Sequence, residues 1–375
     1  MRIAHISLDE KFIDYAIKQF SLLKGVDSVF CVKTENSTLK YIKSPDVKLF
    51  QTFDDIVGFI NNDHFDYVVF HSFCIPQNKV ESLNVPILWN SWGYDIYSDE
   101  SNVLAKPITL SLYKPKTRAA ANIKPKTLHD RIVILARKFG IVSKRQKKYD
   151  ALISKIPYLS VVLPIEFDYI HKKYPHFKFF PFRYIDPSDS IVFTPYTKAT
   201  TSILLGNSVD PTNNHIDILS ILEKRHIQCT VYIPISYPSN QETYKKALKS
   251  FAATLKTVKV RFLEDFIPKE EYFKIIDECS VAIFGHIRQQ AVGNIFRMLY
   301  TGKKILMYKD SVGYNYFKQH NVKIFNIEDD LHQDFFEKPL DIESQKANYT
   351  FVLNDENFEA YIKSLQGFFD NITKV

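Results

Sequence analysis

The sequence predicts an α/β protein made of two doubly wound, parallel-sheet domains facing across a cleft. Apolar strand-like runs alternate with segments of helical periodicity through both halves of the chain. Two polar clusters, Leu205 to His215 and Gly285 to Asn294, each follow an apolar run and precede a helical one. Both therefore fall at the carboxyl edge of a parallel sheet, where open α/β folds bind ligands. A length of 375 residues with 45% hydrophobic content is enough to bury two cores.

In the first half, β-branched and aromatic residues predict strands near Arg2 to Leu8, Ser28 to Thr34, Tyr67 to Ser72 and Ile87 to Ser91. Helices are expected near Lys11 to Leu23 and Phe53 to Asn61. A segment from about Ser101 to Lys148 follows as an insertion, and Ala151 to Val162 resumes helix and strand. Proline and serine place a linker near Asp186 to Ser190. The second half is more regular, with strands near Ser202 to Leu205, Cys229 to Ile233, Lys259 to Leu263, Val281 to Phe284, Lys304 to Met307 and Val322 to Phe325. Between them lie helices near His215 to Lys224, Gln241 to Leu255, Lys269 to Cys279, Gln290 to Tyr300 and Gly313 to Gln319. The expected domains are residues 1–186 and 187–355, with a closing helix in 356–375 crossing back onto the first.

Composition excludes several classes. The four cysteines are scattered, with no CxxC pair, so neither a disulfide framework nor a zinc site is expected and a reducing cytoplasm is the expected home. The first residues read as a strand rather than a signal peptide, and no apolar run is long enough to span a bilayer. Charge is uneven. Ser101 to Lys148 holds thirteen basic residues against the single acid Asp130, a charge of +12 in a chain of net +7. Within it Leu128, Ile132, Leu135, Ala136 and Phe139 recur at helical spacing, as in a helix lying on an anionic bilayer. Arg131, Arg137, Lys138, Lys144, Arg145, Lys147 and Lys148 would form its basic face. A solvated loop with one packed helix is the plainer alternative. Nucleic acid is not an expected partner, since no aromatic platform accompanies the charge.

The polar clusters suit a nucleotide diphosphate. A helix start exposes unpaired N–H groups and partial positive charge, and Gly206 lets the backbone approach without a Cβ. Arg288 can hold a diphosphate at two points, while Gln289, Gln290 and Asn294 can bond sugar hydroxyls. The bland reading of each cluster is a helix cap. No Asp-x-Asp metal motif is present, so a leaving diphosphate would be stabilised by N–H groups and cations, with no cofactor expected.

Several motifs recur in order through both halves: His71 after its strand; Trp92-Gly93-Tyr94-Asp95-Ile96-Tyr97; Phe180-Pro181-Phe182-Arg183 with Asp186-Pro187-Ser188; Gly206-Asn207-Ser208 with Asp210, Asn213 and His215; Pro234, Tyr237-Pro238 and Asn240; and Arg288-Gln289-Gln290 with Gly293. In these the chain resembles the TDP-N-acetylfucosamine:lipid II N-acetylfucosaminyltransferases, glycosyltransferase family 56, of enterobacterial common antigen assembly. It departs from them in the basic insertion and in Ala291 and Asn294, which stand where the family has glycine and threonine. The resemblance implies the GT-B architecture, a nucleotide-sugar donor in the second domain, and a lipid-linked saccharide acceptor entering the first from the inner face of the cytoplasmic membrane. It sets Gly206, Asn207, Ser208, Asn214, His215, Tyr232, Tyr237, His286, Arg288, Gln289, Gln290, Gly293 and Asn294 around the sugar donor. Trp92, Gly93, Tyr94 and Arg183 fall to the acceptor. Asp95 and His71 are the candidate bases, with Arg288 at the leaving group. For Asp95 the alternative is a helix cap, and for His71 a satisfied core histidine. Other readings left open are a different donor, such as a UDP sugar, and a non-catalytic polyanion- or membrane-binding scaffold.

Overall fold

The computed structural model describes residues 1–36, 38–123, 127–185, 192–238, 240–265 and 267–372. The expected linker at Asp186 to Ser190, and Pro187 and Ser188 of the motif, lie outside the described residues, as does Lys126 of the basic segment.

The first sheet is assembled from β1 (Arg2–Leu8), β2 (Asp27–Lys33), β3 (Val47–Phe50), β4 (Tyr67–His71) and β5 (Ile87–Asn90), then β8 (Tyr158–Ser160) and β9 (Lys178–Phe179). Between β5 and β8 a separate parallel pair forms from β6 (Tyr97–Asp99) and β7 (Ile108–Leu110). The second sheet holds β10 (Ser202–Leu205), β11 (Cys229–Pro234), β12 (Val258–Leu263), β13 (Val281–Phe284), β14 (Lys304–Met307) and β15 (Phe325–Asn326).

Strand order is β3-β2-β1-β4-β5-β8-β9 in the first sheet and β12-β11-β10-β13-β14-β15 in the second. The pairs are parallel, and both sheets reverse direction beside their first strand, as doubly wound folds do. The reversal opens a crevice at the carboxyl ends of β1 and β4 in one sheet and of β10 and β13 in the other. Both polar clusters predicted from the sequence end up at the second crevice.

The central strands read as continuous apolar runs because both faces are covered: Ile203 to Leu205 and Val281 to Phe284 are buried throughout. The half-exposed edge strand β3 and the short β6, β7 and β9 carry no such run and are absent from the sequence reading. Val322 to Phe325 pairs only at its end, where β15 begins. One apolar cluster joins Trp89, Ile170 and Tyr174 of the first half to Phe296 and Phe317 of the second, so the two layers share a core. The helix Phe358–Ile372 sets Tyr361, Leu365 and Phe369 against Phe20, Phe180 and Phe182 beneath the first sheet.

The basic insertion does not stay with one half. Leu112 enters the second core. The helix Pro115–Ala120 lies on helix His215–Lys224, whose Asp217 accepts from the N–H groups of Lys116 (3.0 Å) and Thr117 (2.7 Å). That carboxylate caps a helix start which has no cap of its own. Farther on, the helix Leu128–Lys138 begins with a Thr127–Asp130 capping box and buries none of its residues.

Candidate active site

The second-domain crevice is organised by Asn213. Its Oδ1 accepts from Asn207 N at 3.3 Å, and its Nδ2 donates to the Ser208 and Asp210 carbonyls, each at 3.1 Å. Gly206, at φ +67°, crosses directly beside this side chain: a Cβ there would stand 2.6 Å from Asn213 Oδ1 and 2.9 Å from His215 Nε2. Only glycine fits, for both conformational and steric reasons. Gln290 closes the loop, donating to Asn207 Oδ1 at 2.8 Å and accepting from Thr212 Oγ1 at 2.7 Å.

Two buried imidazoles complete the pocket wall. His215 pairs with Tyr244 through Nδ1 at 3.3 Å, and His286 with the Arg288 carbonyl through Nδ1 at 3.2 Å. The Nε2 atom of each is buried without a partner. Burial pulls both rings down to about 3, so both are neutral at physiological pH. In neutral His286 the Nδ1–H goes to the carbonyl and Nε2 can only accept from a ligand, whereas His215 can donate through Nε2 when Tyr244 donates to its Nδ1. Such orphaned atoms are costly in a closed core and fit a place that another group completes.

Arg288 projects into the cleft between the domains. Its Nη1 donates to the neighbouring Gln289 carbonyl at 3.1 Å, and among the described residues it pairs with no carboxylate. Opposite stands Gly93, at φ +86°, whose Cβ would lie 3.2 Å from Arg288 Nη1 and 3.0 Å from Gln289 Oε1. Gly293 faces open space at the start of helix Val292–Tyr300, and Asn294 donates to Tyr272 Oη at 3.0 Å. Ala291, where the family has glycine, takes φ +61°.

Other expected site residues have different duties. Asn214 stitches the insertion to the second sheet, accepting from Lys114 N at 2.7 Å and donating to the Gly285 carbonyl at 2.7 Å. Tyr232 packs on the sheet face, within the cluster of Leu204 and Phe284, away from the strand end. Tyr237 is exposed at the cleft mouth, with Lys11 Nζ 5.7 Å from its ring centre. Arg183 is spent on Asp355, bonding its Oδ2 and its carbonyl at 2.7 Å each, which ties the first half to the end of helix Ile342–Asp355. It is a structural clamp, not an acceptor contact.

The two candidate bases are both buried. Asp95 accepts from Phe73 N, Trp89 Nε1 and Trp92 N, each at 2.9 Å. Those three donors make it the keeper of the Trp92 to Tyr97 loop, the capping role weighed against catalysis. Burial raises its pKa and the three N–H bonds oppose that. His71 lies under the site in a chain: His5 Nδ1 to His71 Nε2 at 3.0 Å, His71 Nδ1 to Tyr184 Oη at 2.5 Å, and Trp92 Nε1 donating to Tyr184 Oη at 3.0 Å. Burial pulls His71 down to about 3, and both its nitrogens are engaged. It orients Tyr184 and Trp92 rather than meeting substrate. Trp92 and Tyr184, with exposed Phe12, form an aromatic floor at the first-domain edge, and Tyr94 donates to Ser72 Oγ at 2.8 Å beside it.

The sequence reading missed Asn213 as organiser, although it stands in the quoted motif, and missed His5, Tyr184, Lys106 and Glu166. Glu166 is fully buried, accepts from Tyr97 Oη at 2.8 Å and from Leu163 N at 2.8 Å, and is pushed up by burial to about 7. The Gln289 amide and the charge of Arg288 both act on the Tyr97 hydroxyl, so this pair reaches the second-domain loop.

Comparison with known proteins bears on the fold. Similar folds include the Candida albicans trehalose-6-phosphate phosphatase N-terminal domain (TM-score 0.60, 10% identity, 97% of each chain covered). The α,α-trehalose-phosphate synthase (UDP-forming) from Burkholderia vietnamiensis gives a TM-score of 0.58 at 8% identity, and Anabaena HepE, solved in complex with UDP and glucose, 0.56 at 11%, each with 100% of both chains covered. Two doubly wound domains of this kind give the chain the GT-B fold, and the family match that follows supports a glycosyltransferase. Residues 165–349 match the family model described as 4-alpha-L-fucosyltransferase, glycosyl transferase group 56. Over these residues the chain is similar to that group.

Proposed function

We propose that this enzyme moves a deoxyamino sugar of the N-acetylfucosamine type from a TDP-sugar onto a polyprenyl-diphosphate-linked saccharide at the inner face of the cytoplasmic membrane. The observation that carries the donor side is the pair of buried, neutral imidazoles with unpartnered Nε2 atoms, His215 beside Gly206 at a helix start and His286 near it. Diphosphate oxygens would accept from His215 Nε2–H and from helix N–H groups, whereas His286, its Nδ1–H held by the Arg288 carbonyl, would accept from a sugar hydroxyl through Nε2. As the acceptor oxygen bonds the anomeric carbon, the bond to the diphosphate breaks, and the departing oxygen takes the electron pair. Arg288 neutralises that charge in a metal-independent step, and the acceptor proton leaves with the departing phosphate or a base.

The acceptor side is supported by the helix Leu128–Lys138. Its large apolar side chains face outward: Leu128 is 75% exposed, Ile132 and Leu135 57% each, and Phe139 and Ile141 just beyond it 76% and 66%. Exposed Arg131 and Lys138 stand on the same helix, and exposed Lys144, Arg145, Lys147 and Lys148 begin the next one. Exposed apolar side chains on a segment this rich in cations suit the boundary of an anionic bilayer. Arg137 is the exception among the expected basic face, since it donates to the carbonyls of Asn102 (2.8 Å) and Glu100 (3.0 Å). Among the described residues no helix is long and apolar enough to cross a membrane.

Thermal unfolding with TDP, UDP, GDP and CMP tests the donor, because a ligand of the folded state raises the transition. A shift selective for TDP upholds the reading. A selective UDP shift replaces the donor, and no shift with any nucleotide moves the case to a scaffold.

A further inference from the structure

We propose that Lys106 of the first domain and Arg288 of the second clamp one diphosphate between them across the cleft. The inference rests on the reading above that a diphosphate works there. Both cations bracket the same stretch of backbone. Arg288 Nη1 lies 3.2 Å from the position of a Cβ on Gly93, and Lys106 Nζ donates to the carbonyl of the next residue, Tyr94. Each bonds a main-chain carbonyl, and among the described residues neither forms an ion pair with a carboxylate. Other cations of the insertion, such as Lys114 with Asp310 and Arg118 with Asp99, do.

Lys106 is half-buried, and burial lowers its pKa; Asp95 opposes the shift, and the like charge of Arg288 adds to it. The Asp95 carboxylate is committed to three N–H donors. The two like charges, set on adjoining backbone groups in a partly desolvated cleft, repel, and an anion set between them removes that cost. A diphosphate has the charge and the length to meet one cation at each phosphate. Because the two sit on different domains, the anion would also draw the domains together. Lys106 further lines a cavity of about 250 Å³ whose wall includes Phe73, Ile75, Pro76 and Tyr94 and also Asp95, whose carboxylate is held by its three N–H donors. The diphosphate could thus come from the nucleotide sugar or from a prenyl-linked acceptor.

Titration of the full-length protein and its Lys106→Gln and Lys106→Arg variants with TDP, TMP and farnesyl diphosphate separates these sources. A donor clamp predicts that Lys106→Gln weakens TDP binding about ten-fold, while TMP changes less than about two-fold and Lys106→Arg recovers most of the loss. Unchanged TDP affinity with about a ten-fold loss for farnesyl diphosphate assigns the clamp to the acceptor. Unchanged affinity for both diphosphates overturns it. A wild-type protein that binds no nucleoside diphosphate defeats the donor reading instead, and the farnesyl diphosphate titration then decides the clamp alone.

Discussion

Gly93 and Arg288 meet from opposite domains: a Cβ on residue 93 would stand 3.2 Å from Arg288 Nη1, close enough that the guanidinium must shift. The contact puts the Trp92 to Tyr97 loop directly against Arg288. At φ +86° a side chain on residue 93 is also strained, by about 1–2 kcal/mol. Gly93→Ala should therefore displace Arg288 and Gln289 and reduce turnover about 10- to 100-fold. Steady-state kinetics beside a thermal melt checks this. A variant that loses stability but keeps its turnover would show that the contact serves packing alone.

Arg288→Ala should behave differently. Among the described residues its side chain bonds the adjacent carbonyl and no carboxylate, so stability should stay within about 0.5 kcal/mol of wild type. Turnover should drop about 100-fold or more, the usual cost of removing a preorganised charge stabiliser. Near-normal kcat would remove Arg288 from the chemistry.

The sheets were legible because their signal is local. β10, β13 and β14 are unbroken apolar runs between turn residues, and their limits coincide with the sequence reading. The position of the second-domain crevice was legible for the same reason, since both clusters adjoin those strands. What stayed hidden depends on pairing at a distance: His5 meets His71 across 66 residues, Tyr97 meets Glu166 across 69, and Lys114 meets Asn214 across 100. A carboxylate such as Asp95 looks the same in sequence whether it faces substrate or three N–H groups. Arg183 likewise gave no sign of Asp355, 172 residues on.

Glu166 makes stability depend on pH. Its carboxyl rises from 4.5 to about 7 because it is buried, so between those values the folded state holds a proton that the unfolded chain has lost. Its contribution is fully present below about pH 4.5 and is lost as pH rises through about 7, by a few kcal/mol at most. Glu166→Gln keeps a neutral partner for Tyr97 and removes the titration. Urea unfolding at pH 5 and pH 8 should show wild type losing more stability than the variant over this interval. Equal losses would mean that Glu166 does not titrate there.

Membrane binding should need both halves of the insertion's outer face. Ile132 and Leu135 are exposed and buried in no core, so Ile132→Ser with Leu135→Ser should leave the melting temperature nearly unchanged. Inserting such side chains into a bilayer is worth about 1.5–3 kcal/mol each at full burial. The double variant should thus lose about ten-fold or more in affinity for vesicles of phosphatidylglycerol and phosphatidylethanolamine. Replacing Lys144, Arg145, Lys147 and Lys148 by Gln removes a different component, about 1 kcal/mol per cation near the surface. That loss should shrink as salt is raised, because screening already weakens the wild type, whereas the loss from the serine variant should persist. Cosedimentation at low and high salt reads both. Unchanged binding in both variants would detach this helix from the membrane and leave the basic segment as a bridge between the two domains.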